Sequence, residues 1–176
     1  LPEEQRRRVE VTHGGPSLAD AYLRFIVEEL KPRVDRSFRT RRAASATSIM
    51  GSSMGGLISL YALGEYPRVF GQAAALSIHW PLGDPRRDQG ADPDQVASAF
   101  AQWLSRSRAR PSFNRLYVDI GDQTLDAFYP PFHERMTPVL AAHGWRAGRG
   151  YRNQIYPGTA HNEAAWRARL ETPLAF

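Results

Sequence analysis

Apolar residues fall at helical spacing near the start of the chain. Tyr22, Phe25, Ile26 and Leu30 form one stripe, with Leu23 and Val27 beside it, which predicts a helix buried on a broad face. His13-Gly14-Gly15-Pro16 reads as a turn before it. Ser17 is the expected cap, with Asp20 as its capping-box partner, and Pro32 is expected to bend or end the helix. Residues 43 to 50 are small and β-branched and suit a central strand. From Met54 the pattern turns helical through Leu57, Leu60 and Tyr61, and it stops at Gly64-Glu65-Tyr66-Pro67. Ala73 to Trp80 reads as a second buried strand, and residues 81 to 94, rich in Pro, Gly, Asp and Arg, as a surface loop. Val96, Phe100, Trp103 and Leu104 mark an amphipathic helix, and Leu116 to Ile120 a third strand. Pro130 and Pro131 open a helix through Phe132, Met136, Val139 and Leu140, with a kink expected at Pro138 and an end at His143-Gly144. Arg152 to Tyr156 is the last predicted strand, and Asn162 to Leu170 the last helix. Strands alternating with helices predict an α/β fold, a mostly parallel sheet of about four strands covered on both faces.

Composition narrows the class. A chain of 176 residues, 42% apolar, is enough for one domain with a core and too short for two comfortable ones. No stretch is apolar for the ~18 residues a membrane span needs, so no membrane partner is expected, and the location is left open. The absence of cysteine excludes disulfides and thiol catalysis. The net charge of +5 is carried by arginine apart from Lys31, and it is scattered along the chain. A nucleic-acid binder would gather it into a stripe interleaved with aromatics, so no nucleic-acid partner is expected.

The chemistry concentrates at Gly51-Ser52-Ser53-Met54-Gly55, which fits G-x-S-x-G with Ser53 central. It follows a predicted strand and precedes a predicted helix. A sharp turn at that junction holds the serine in an uncommon backbone conformation with its hydroxyl clear of the sheet, and glycines two positions either side relieve the crowding. The N–H of Met54 then faces the place where an oxyanion would form, at the positive end of a helix. Ser52 reads as structural. In this architecture the acid and base follow the serine in the order Ser, Asp/Glu, His. Of the five histidines, His13 precedes the serine, His79 comes too early for the base, and His133 and His143 lie on a helix. His161 follows a strand and opens a helix, where the base belongs. Asp122 and Asp126 both follow the third strand and both qualify as the acid; Asp119 lies inside the strand. Trp80, just past a strand end, is a candidate for the substrate pocket. The glycine-rich run lacks the lysine of a phosphate loop, metal-ligand spacings are missing, and no metal or cofactor is expected.

Several segments together resemble one family: F-I-V-E-E-L-K-P-R-V-D (25 to 35), G-S-S-M-G-G-L-I-S-L-Y-A (51 to 62), Y-P-R-V-F-G (66 to 71), L-S-I-H-W (76 to 80) and H-N-E-A-A-W-R-A-R-L (161 to 170). They are similar to the putative-esterase group of α/β-hydrolases, which includes esterase D, feruloyl and enterochelin-type esterases and the mycolyltransferases. The resemblance implies Ser53 as nucleophile, His161 as base and, in the loop 121 to 129, Asp126 as acid with Asp122 in reserve. It also implies further strands ahead of the Phe25 helix, carrying the second oxyanion donor, so the single domain spanning 1–176 is expected to be N-terminally incomplete. His13-Gly14-Gly15 is read as a turn rather than that donor loop. The expected activity is a serine carboxylic-ester hydrolase acting on a small-molecule ester. An acyltransferase on the same scaffold and a non-catalytic α/β binding domain are the alternatives. The oligomeric state is left open.

Overall fold

The computed structural model describes residues 3, 7, 10–11, 14–86, 92–148 and 150–176. Residues 87–91 of the predicted surface loop, and His13, lie outside them. Four strands form one parallel sheet in sequence order: β1 (Ser48–Ser52), β2 (Gln72–Leu76), β3 (Arg115–Ile120) and β4 (Tyr151–Ile155). The connecting helices are α3 (Met54–Glu65), α4 (Pro93–Arg106) and α5 (Pro130–Ala142), the last continuing past Pro138. Parallel crossovers are right-handed, so a sheet wound in one direction receives all its crossover helices on one face.

The side chains obey that rule. Alternate strand residues Ala73, Ala75, Leu116, Val118, Ile120 and Tyr151 share one buried cluster with Leu60 and Leu63 of α3, Val96 and Phe100 of α4, and Met136 and Leu140 of α5. The residues between them face the other way. Ala74, Leu76 and Tyr117 pack with Phe176, Trp166 and Leu170. The second face is therefore closed by the short C-terminal helices α6 (Glu163–Arg169) and α7 (Glu171–Ala175).

Ahead of the sheet, α1 (Ala19–Arg24) passes through a π-helical segment, Phe25–Leu30, into α2 (Lys31–Ser37). Pro32 neither ends nor interrupts this element. Its ring opposes the carbonyl four residues back and it donates no hydrogen bond. The wider π-helical turn just before it, with the Lys31 N–H bonded to the Ile26 carbonyl, accommodates both facts. The cap also departs from expectation. The N-cap is Leu18, without a side-chain bond, and the Ser17 hydroxyl accepts from the Ala19 N–H at 3.3 Å.

Strand boundaries shift where backbone conformation breaks the ladder. β1 begins at Ser48 because residues 44–46 form a 3-10 turn. β2 stops at Leu76, since Ser77 adopts φ 40°.

Candidate active site

β1 delivers Ser53 to the C-terminal end of the sheet. The ladder runs into the turn, with the Ser53 N–H bonded to the Leu76 carbonyl at 2.9 Å and the Ser53 carbonyl capping α3 through Gly56 and Leu57. Between strand and helix Ser53 takes φ 56°, ψ −122°, a conformation that is costly for a residue with a Cβ and is held by its surroundings. The two flanking glycines differ. A Cβ on Gly51 would lie 2.5 Å from the Gly55 backbone, whereas one on Gly55 would meet nothing within 4 Å. The first glycine makes the tight turn possible and the second faces open space. Met54 is the first residue of α3, so its N–H is one of the first-turn donors with no intrahelical acceptor.

β3 and β4 deliver the other two residues. After β3 a 3-10 turn, Thr124–Phe128, buries Asp126 completely. After β4 the chain enters α6, whose cap Asn162 accepts from the Ala165 N–H at 2.9 Å and leaves His161 just outside the helix. The two loops are zipped together. The Asp122 and Gln123 N–H groups both donate to the Thr159 carbonyl, and the His161 N–H donates to the Thr124 hydroxyl at 2.8 Å. This fixes His161 Nδ1 at 2.5 Å from Asp126 Oδ1. The other carboxylate oxygen accepts from Ser77 Oγ at 2.6 Å and from the Gly121 N–H at 2.7 Å. Burial alone would raise the Asp126 carboxyl; the bonds from His161, Ser77 and Gly121 outweigh it and hold it below the usual carboxylate range. An ionised carboxylate only accepts hydrogen bonds. His161 Nδ1 therefore carries the proton, and the lone pair of Nε2 is left to act as a base.

Tyr129 joins these groups to the serine. Its ring stands edge-on to His161, with centroids 5.7 Å apart, and its hydroxyl lies near the Ser53 side chain. The same hydroxyl lies 2.6 Å from His79 Nδ1, whose Nε2 is 2.8 Å from the Gly83 carbonyl. A carbonyl needs a donor, so His79 carries its proton on Nε2 and Tyr129 donates to Nδ1.

Behind Asp126 lies a buried network that the sequence did not reveal. Ser77 Oγ accepts from Trp166 Nε1 at 2.9 Å and from Arg169 Nη2 at 2.8 Å. Arg169 forks onto Asp119, and Asp119 also accepts from the Ser77 N–H at 2.8 Å and the Tyr117 hydroxyl at 2.8 Å. The legible signal was spacing: Trp166 and Arg169 stand three apart on one helix, hence on one face.

The structure separates the two candidate acids. Asp122 accepts from the Gly158 N–H at 2.7 Å and from Gln123, and it holds the loop rather than the imidazole. The structure places Trp80 in the core. That indole is fully buried, packs edge-on to Phe100 at 5.4 Å and donates to His133 Nδ1 at 3.1 Å.

A parallel sheet covered on both faces, with a serine on the turn after a strand and a histidine–aspartate pair from later loops, has the α/β-hydrolase form. The chain belongs to the family described as "Putative esterase", whose sequence pattern matches residues 2–176. Among curated relatives, the ferri-bacillibactin esterase BesA of Bacillus subtilis (strain 168) is 38% identical over 82 residues, covering 46% of this chain and 27% of BesA. The enterobactin esterase FES from Shigella flexneri, solved in the presence of 2,3-di-hydroxy-N-benzoyl-glycine, superposes with a TM-score of 0.65 at 23% identity, over 89% of this chain and 37% of that one. The S-formylglutathione hydrolase FrmB from Staphylococcus aureus superposes with a TM-score of 0.59 at 16% identity, over 89% and 64% of the two chains. These superpositions bear on the fold. The chain thus spans 27% of the length of BesA and 37% of that of FES. Among the described residues no helix is long and apolar enough to cross a membrane.

Proposed function

We propose that this chain carries the catalytic serine, histidine and aspartate of a carboxylic-ester hydrolase acting on small-molecule esters. The observation that carries the reading is the 2.5 Å contact between His161 Nδ1 and a buried Asp126, whose loop also brings Tyr129 edge-on to His161 and its hydroxyl near Ser53, itself at positive φ. Family membership supports the ester chemistry, and the relatives' names support the substrate class: one is an esterase of ferri-bacillibactin, another of enterobactin.

In this reading His161 Nε2 takes the Ser53 proton as Ser53 Oγ attacks the ester carbonyl. The negative charge moves to the carbonyl oxygen, where the Met54 N–H and the N-terminus of α3 stabilise it. Asp126 keeps the imidazole in the useful tautomer and supports it as imidazolium. His161 then returns the proton to the leaving alkoxide, the alcohol departs, and an acyl-Ser53 ester remains. Water, deprotonated by the same nitrogen, releases the acid and regenerates the serine.

Ser53→Ala removes the nucleophile and is expected to lower p-nitrophenyl acetate turnover by about 10⁶ in kcat. Wild-type turnover in that variant contradicts the assignment.

A further inference from the structure

A cleft of about 470 Å³ opens at Met54, the residue after Ser53, within the range of small-molecule sites. Met54, Leu57, Ile58 and Tyr61 of α3 form one wall, and Phe100 and Trp103 of α4 form another. Met54 to Tyr61 spans two turns, so that wall runs about 10 Å away from the serine. The polar tips of its two wall aromatics are already occupied. The Tyr61 hydroxyl donates to Asp20 Oδ1 at 2.7 Å, and Trp103 Nε1 donates to Glu65 at 2.7 Å. What faces the cleft is mostly ring and hydrocarbon, with the Ser17 hydroxyl and the Asp20 carboxylate also in its lining.

We infer that this cleft holds the acyl side of the ester, and that the acyl group it accepts is hydrophobic and carries no negative charge. The inference rests on the proposed roles of Ser53 and His161. The leaving alcohol must come within proton-transfer reach of His161, whose neighbours are Thr124, Asp126, Tyr129 and Trp166. None of these lines the cleft, and Ser53 reaches it only through its neighbour Met54. Met54 does, and its N–H marks the carbonyl-oxygen side of the reacting carbon. An ester held with its oxygen at Met54 and its alcohol at His161 points its acyl group along α3. Asp20 then sets the charge: an acyl chain ending in a carboxylate brings a like charge to the rim, whereas an alkyl chain meets apolar walls.

The experiment is a kcat/KM series on p-nitrophenyl acetate, butyrate and hexanoate and on the mono-p-nitrophenyl ester of adipic acid, with fluorophosphonate labelling of Ser53 in parallel. Each added methylene is expected to raise kcat/KM about fourfold. Adipate is expected to fall at least tenfold below hexanoate, with Asp20→Asn narrowing that gap about threefold. Ala99→Trp, which fills the cleft from α4, is expected to bring the hexanoate-to-acetate ratio towards one; as a ratio it is insensitive to any loss of folded protein. Acetate turnover with Ser53 labelled but no dependence on chain length or terminal charge overturns the inference and leaves the esterase reading standing. No turnover of any ester and no labelling of folded protein overturns both.

Discussion

At the scale of single residues, the site depends on a few atoms having no room to move. Gly51 is one. A methyl group there lands on the Gly55 backbone at 2.5 Å, and backbone cannot swing aside as a side chain can. Gly51→Ala is expected to destabilise the fold by about 1–3 kcal/mol and to displace Ser53, which a urea midpoint and an ester assay read separately. Gly121 is another, since a Cβ there would sit 2.8 Å from Asp126 Oδ2 and 2.3 Å from the Thr159 carbonyl. The choice between the carboxylates is equally sharp. Asp126→Asn leaves the shape intact but offers His161 an amide, and it is expected to lower kcat about 10⁴-fold, while Asp122→Asn keeps turnover near wild type. Ser53 and His161 stand out in the sequence as candidates because each follows a strand and precedes a helix. The aspartate does not, by spacing alone. Two carboxylates four apart in one loop differ only in which turns inward, and the 3-10 turn after Gly121 decides that.

At the scale of elements, the C-terminal helix α6 acts as a clamp on Asp126. It brings Trp166 and Arg169 to Ser77, and Ser77 spends its one proton on Asp126. Ser77→Ala removes one of the bonds that hold the Asp126 carboxyl down, and it deprives an indole and a guanidinium of their shared acceptor. The expected result is a loss of about 1–3 kcal/mol in stability, with kcat falling and KM unchanged. Thermal unfolding and steady-state kinetics check the two halves. The sequence hid this clamp because it joins the residue after β2 to a helix about ninety residues away, and because an arginine on a short helix reads as surface. The helices themselves were legible from their apolar spacing. Their ends were less so: the π-helical segment before Pro32 and the positive φ at Ser77 are local backbone responses that periodicity does not encode.

At the scale of the whole molecule, one winding direction explains the division of labour. Three crossover helices share one face with the main core, and the opposite face carries the buried polar network beneath α6 and α7. That partition has a pH signature. His133 is buried with the Trp80 indole on its Nδ1, and burial pulls it down from 6.5 to about 4 against a weaker opposing interaction with the Asn153 side chain. Between those values the unfolded chain binds the proton and the folded one does not. Stability is therefore full above pH 6.5 and falls as the pH drops, by up to about 3 kcal/mol at pH 4. Asp126 adds a further loss in the same direction, below the ordinary carboxyl range. His133→Gln keeps an acceptor for Trp80 and cannot titrate, so urea midpoints measured from pH 7 to pH 4 are expected to fall less steeply in that variant than in the wild type.

The central claim is that Ser53 is an activated nucleophile, and covalent trapping tests it most directly. The purified protein is treated with a fluorophosphonate and the modified residue located by peptide mass spectrometry. A single adduct on Ser53, formed at a rate that collapses in Asp126→Asn and His161→Ala, is the predicted result. Folded protein that remains unlabelled, or an adduct that forms on Ser52 instead, contradicts the account.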